Sequence, residues 1–137
     1  MKRLLTLIVG ALLASALGLA GTPAQAATVD DIPHVKFKIR SITLNGYSGN
    51  IEVRVRIKCT QVVAGVGEAA WGASARQDLR AKAGEAVECD GVGRRTKLVL
   101  DPRNGSFHPG EVGMTIGWTA FGSTAAEAEL QSFTTTV

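Results

Sequence analysis

Residues 51–59 read Ile-Glu-Val-Arg-Val-Arg-Ile-Lys-Cys, an unbroken alternation of apolar and charged side chains. A period of two is the spacing of a β-strand with one buried and one wet face. Ile51, Val53, Val55, Ile57 and Cys59 take the inner side, and Glu52, Arg54, Arg56 and Lys58 the outer side. The chain holds one further cysteine, Cys89, so this inner face ends on one half of the single intramolecular disulfide available. The strand is expected at the centre of a small β-sandwich, clamped by Cys59–Cys89.

The chain opens on a different pattern. Lys2 and Arg3 form a positive start, residues 4–20 are apolar or small apart from Thr6 and Ser15, and Ala24-Gln25-Ala26 has the small-x-small form of a cleavage site. Residues 1–26 are expected to be a signal peptide and residues 27–137 a single exported domain. The apolar run is short for a span of about 20 residues, so no stable membrane span is expected after cleavage. The whole chain has 15 basic and 12 acidic residues; without Lys2 and Arg3 the balance is 13 to 12, a net charge of +1. The pI of about 9.1 thus overstates the basicity of the mature domain. Nucleic-acid binding is not expected from so even a balance.

In an exported chain an even cysteine count points to a disulfide. The two cysteines lie 30 positions apart. Closing such a loop contributes roughly 3–4 kcal/mol on chain-entropy reasoning, against about 5–15 kcal/mol for a typical domain.

Further strands follow in order. Val35, Phe37 and Ile39 alternate with Lys36, Lys38 and Arg40, but the next apolar residues, Ile42 and Leu44, fall on the opposite parity. A flip inside one run predicts a β-bulge or a strand that changes sheets. The cluster Asn45-Gly46-Tyr47-Ser48-Gly49-Asn50 is a turn that makes these two strands a hairpin. Ala69, Trp71, Ala73 and Ala75 form the inner side of a third strand. Residues 74–83 carry good helix formers between Ser74 and a Gly84 stop, and read either as a short helix or as a strand end plus loop. Strands on both sides favour the second. A short strand is expected at 86–89, another through Thr96, Leu98 and Leu100 with Lys97 outward, and a long one through Val112, Met114, Ile116, Trp118 and Ala120. The last strand, from 126 to 137, is expected to turn Glu127 and Glu129 outward. About seven strands separated by short turns predict an all-β, immunoglobulin-like antiparallel sandwich with one disulfide.

The segment Val87-Glu88-Cys89-Asp90-Gly91, the strand at 96–100, and Gly105-x-Phe107-x-Pro109-Gly110-x-Val112-x-Met114 carry a resemblance. Over most of residues 40–137 the chain resembles a family of small secreted actinobacterial proteins of unknown function. Those pair an early strand cysteine with a Cys-Asp-Gly and follow it with a Pro-Gly corner. The resemblance implies an exported immunoglobulin-like domain with one disulfide and supplies no activity. The chain is also superficially similar to the secreted chromoprotein apoproteins, sandwiches that hold a small apolar ligand; those have two disulfides where this chain has cysteines for one.

Signals of catalysis are sparse. His34 and His108 have no metal-spaced partners. Gly46-Tyr47-Ser48-Gly49 falls short of a nucleophile elbow and reads as a turn. Asp90 and Asp101 sit in turns, where an aspartate bonds its own backbone. Asn104-Gly105-Ser106 matches a glycosylation acceptor but reads as turn chemistry in a bacterial protein. No enzyme, metal or cofactor is expected. Trp71 and Trp118, flanked by small residues, read as core packing ahead of a ligand pocket.

One charge distribution stands out. Lys36, Lys38, Arg40, Arg54, Arg56 and Lys58 share the outward parity of the first two strands, against one acid, Glu52. Glu111, Glu127 and Glu129 balance them later in the chain. Such charges keep a face soluble and discourage edge pairing; they also form a candidate anion-binding face for an anionic cell-envelope polymer, an acidic protein or a membrane surface. The favoured function is a non-catalytic secreted or envelope-associated binding module. The alternative is a small secreted inhibitor, with residues 60–67 or 76–84 as exposed loop, or a carrier of a small apolar ligand.

Overall fold

A computed structural model describes residues 2–7 and 30–137, and every regular element among them is a β-strand. These are β1 (Lys2–Leu7), β2 (His34–Leu44), β3 (Ile51–Thr60), β4 (Glu68–Arg76), β5 (Arg80–Val87), β6 (Arg94–Leu100), β7 (Glu111–Phe121) and β8 (Ala126–Thr136). They form two antiparallel sheets, one ordered β1-β8-β7-β4-β5 and the other β2-β3-β6. Hairpins join β2 to β3, β4 to β5 and β7 to β8, and the remaining connections from β3 to β8 cross between the sheets. Of the expected leader, the structure describes Lys2–Leu7, paired in register with β8 from Leu7↔Ala126 to Lys2↔Gln131; the rest of its apolar run, from residue 8, and its cleavage site lie outside the described residues.

β3 is the middle strand of the smaller sheet, hydrogen-bonded on both sides. Its inner side chains Ile51, Val53, Val55, Ile57 and Cys59 are at most 1% exposed. Fully burying side chains of this size stabilises by roughly 1.5–3 kcal/mol each. Across the interior they face Trp71, Ala73 and Ala75 of β4 and Val112, Met114, Ile116 and Trp118 of β7, all buried. The alanines of β4 let the sheets approach, and the Phe37 ring lies 5.8 Å from that of Trp71. Both tryptophans belong to this core.

The parity flip in β2 is a β-bulge. Ile39 pairs with Val55 and Ser41 with Arg54, so Arg40 is the extra residue. The bulge keeps Ile39 and Ile42 against the core while Arg40 stays outside. Residues 74–83 form a tight hairpin rather than a helix. β4 ends at Arg76, the Gln77 amide donates to the Leu79 carbonyl at 2.9 Å, and β5 returns from Arg80. The short strand expected at 86–89 is therefore the tail of a longer one that ends at Val87.

Two acidic placements differ from expectation. Glu127 and Glu129 pair with Ala120 and Trp118, so they lie on the inner parity, and Ala126, Ala128 and Leu130 point outward. β8 can carry half-buried acids there because the larger sheet has five strands against three, and its margin extends past the smaller sheet. On the opposite margin Glu85 also points inward, opposite Trp71. It accepts a hydrogen bond from Trp71 Nε1 at 2.8 Å and another from the Thr96 hydroxyl of β6, joining the two sheets where the sandwich would otherwise gape.

The end of the sandwich near β3's C-terminus is tied covalently and electrostatically. The Cys59–Cys89 disulfide fastens β3 to the crossover between β5 and β6. Beside it the Gly91 amide donates to the Cys59 carbonyl at 2.8 Å. Asp90 accepts from the Arg94 guanidinium at 2.8 and 2.5 Å and from the Val92 amide at 3.0 Å. Arg94 first, and the Val92 amide second, hold the Asp90 carboxyl well below the usual carboxylate range. Asp31, buried just before β2, accepts from the Ser123 hydroxyl and, at 2.9 Å, from the Ser123 amide in the β7–β8 turn. Those bonds, the hydroxyl's foremost, lower its carboxyl as well.

Replacing both Cys59 and Cys89 with alanine is expected to lower the unfolding free energy by roughly 3–4 kcal/mol, read from urea unfolding, while the strand content seen by circular dichroism persists. The two aspartates set an acid limit. Their folded pKa values lie below the unfolded one, so the stability they add is present above about pH 4 and is lost as pH falls through the folded values. Melting temperature against pH should drop below about pH 4, and Asp31→Asn with Asp90→Asn should flatten that drop.

Candidate anion-binding face

The outer face of the β2-β3-β6 sheet is built directly by the register. Lys36 pairs with Lys58, and Lys38 with Arg56. On the other flank of β3, Arg56 pairs with Arg95 and Arg54 with Lys97. At the bulge Arg40 and Ser41 stand beside Arg54. All six residues expected from the sequence thus lie on one face: Lys36, Lys38, Arg40, Arg54, Arg56 and Lys58. The structure adds Arg95 and Lys97, which bring the cations to eight on three adjacent strands. Their signal was present in the alternation of Thr96, Leu98 and Leu100 with Arg95, Lys97 and Val99; the missing information was that β6 lies next to β3.

Glu52 is the one acid among these outward side chains. It meets Arg54 at 3.0 Å and stands 4.0 Å from Lys97. Lys36, Lys38, Arg40, Arg56, Lys58 and Arg95 have no carboxylate within 4.0 Å among the described residues. Two depressions mark the face. One, of about 560 Å³, is lined by Arg40, Arg54, Arg95 and Lys97 together with Ser41 and Thr96. The other, of about 400 Å³, is lined by Lys36, Lys38, Arg56 and Lys58 together with Gly93 and Phe37, whose ring turns inward to Trp71. A Cβ on Gly93 would stand in ordinary contact, 3.5 Å, with the Arg56 guanidinium, so that side chain lies over the Gly93 backbone.

Like charges directly opposite one another on a sheet destabilise it. This face has four such pairs in register and one acid to offset them. What it can do chemically is hold anions. Arginine offers a planar fork of donors that matches phosphate or carboxylate oxygens, and lysine adds a point charge.

The other residues singled out from the sequence are dispersed. His34 pairs with Thr60 at one end of the sandwich, and His108 lies near the other, 3.8 Å from Asp78. Among the described residues no group of three or more His, Cys, Asp or Glu side chains is gathered as metal ligands. Asp101 accepts from the Arg103 amide at 2.9 Å, and Ser48 accepts from the Asn50 amide at 3.2 Å, so both serve their turns. Of the two expected inhibitor loops, 76–84 is the β4–β5 hairpin, whereas 61–67 is a true crossover loop with Val62 and Val63 exposed. Among the described residues no helix is long and apolar enough to cross a membrane. No family model, curated protein or solved structure matches the chain.

Glu52→Gln should release Arg54 and Lys97 and raise the charge of the face by one. The expected result is tighter binding to a polyanionic resin, with elution moved to higher salt, and a loss of unfolding free energy of no more than about 0.5 kcal/mol.

Proposed function

We propose that this protein is a non-catalytic binding module of the extracellular or envelope compartment, holding an anionic envelope polymer against the outer face of its β2-β3-β6 sheet. The observation that carries this reading is the in-register opposition of like charges across β3, with a single acid between them. Solubility and edge protection account for lysines on β2, which is an edge strand. Edge protection does not reach Arg54, Arg56 and Lys58 on β3, whose edges are both occupied, and solubility asks for charge there without asking that like charges stand opposite one another.

Several features support export. The disulfide is compatible with an oxidising compartment, and residues 1–26 have the form of a cleavable signal peptide. Three strands facing a larger sheet through repeated crossovers fit an immunoglobulin-like sandwich, in keeping with the resemblance to small secreted actinobacterial proteins. Cleavage of the leader would leave β8 as an edge, since Lys2–Leu7 is its outer neighbour.

A second reading, a secreted inhibitor, draws on the 61–67 loop. Gln61 Oε1 accepts the Gly65 amide at 2.9 Å and the Val66 amide donates to the Val63 carbonyl at 3.0 Å, which presents Val62 and Val63 on a braced loop. Retention on envelope material separates the two. The triple variant Lys38→Glu, Arg54→Glu, Arg56→Glu should elute at distinctly lower salt than the parent, while Val62→Ser with Val63→Ser should not change elution. Unchanged retention of the triple variant would refute the basic face as the binding surface.

A further inference from the structure

The face has an internal order that narrows the ligand. Its cations stand in rows across the strands: Lys36 with Lys58, then Lys38 with Arg56 and Arg95, then Arg54 with Lys97 and, beside them at the bulge, Arg40. Neighbouring strands are about 4.8 Å apart, and successive outward residues along a strand about 6.7 Å apart. The rows therefore repeat every ~6.7 Å along the strand direction. The next row, Thr43 with Glu52 and Val99, ends the array with a negative charge and an apolar side chain. The array has a direction and a length of three rows.

We infer that the ligand is a linear phosphodiester polymer of the polyol-phosphate kind, lying along β3 with successive phosphates on successive rows. This rests on the reading of the face as an anion-binding surface. Three observations carry it further. First, the two depressions follow one another along β3, each bounded by four cations. Second, three of the four cations around the larger depression are arginines that reach it from three different strands. A carboxylate presents its two charged oxygens in one plane, whereas the two non-bridging oxygens of a phosphodiester sit on a tetrahedral centre and stand clear of its two ester oxygens, so guanidiniums from neighbouring strands can approach them from different directions. Third, between residues 36 and 43, 52 and 58, and 95 and 99 the outward side chains include no Phe, Tyr or Trp. Nucleobases are held on single-strand binders by stacking on aromatic rings. A face without them reads a repeating charge on a ring-free backbone.

The test titrates the purified chain with poly(glycerol phosphate), with poly-L-glutamate of equal charge, and with inorganic phosphate. Poly(glycerol phosphate) should bind at least about tenfold tighter than polyglutamate. Its affinity should fall between about 50 and 200 mM salt with a log–log slope near −2, as expected for about three phosphates engaged. Arg56→Gln and Arg95→Gln should each weaken it by about tenfold at unchanged melting temperature, and Lys82→Gln on the other sheet should not. Polyglutamate binding as tightly would overturn the phosphodiester assignment and leave the anion-binding face standing. Inorganic phosphate binding as tightly as the polymer would overturn the row arrangement. Binding by none of the three, or indifference to both arginine substitutions, would remove the face as well.

Discussion

Burial of one side of β3 is the interaction on which the rest of the molecule depends. Ile51, Val53, Val55, Ile57 and Cys59 lie against the larger sheet with almost no exposure, and both edges of the strand are hydrogen-bonded. A strand in that position has only one freedom left, the chemistry of its outer side. Because side chains alternate strictly, each buried residue is followed by one that must face solvent. The ladder that makes the core therefore also sets Glu52, Arg54, Arg56 and Lys58 in a line. Rigid placement by the core holds that line of side chains at a fixed spacing.

Unequal sheets create a closure problem, and the chain solves it with polar ties placed at the margins. Glu85 reaches inward from an edge strand to the Trp71 indole and the Thr96 hydroxyl. Asp31 joins the segment before β2 to the β7–β8 turn, and the disulfide joins β3 to the crossover beside it. Inward acids at an edge would be costly if unpaired; with their donors present they close the rim and oppose pairing with another sheet. Three contacts between residues distant in sequence thus do for the ends what apolar packing does for the middle.

Much of this was legible residue by residue. The alternation at 51–59 and at 112–120 gave two long strands and their inner faces, and the parity flip after Ile39 marked the bulge that the register places at Arg40. Residues 74–83 were harder. Their composition suits a helix, and the strand pairing of Ala81 and Ala83 with Ala75 and Ala73 overrode local propensity. Glu127 and Glu129 lie on the inner parity although their charge alone predicts the outward one. At the margin of the larger sheet the inner parity is half open, and an acid can occupy it. Arg95 and Lys97 were visible as outward residues, but nothing local says whose neighbours they are.

The sequence by itself determined the period of the long strands at 51–59 and 112–120, the inner and outer sides of both, and the one cysteine pairing available; these depend on local geometry and on counting. Only the tertiary structure decided that β6 lies beside β3 and that β4 lies beside β7. Those pairings join segments separated by crossovers between sheets, and they form because the apolar faces must be buried together, not because of any short-range signal. The candidate face follows the same division. Its cations are written along the chain, but their assembly into rows across three strands exists only once the sandwich has closed.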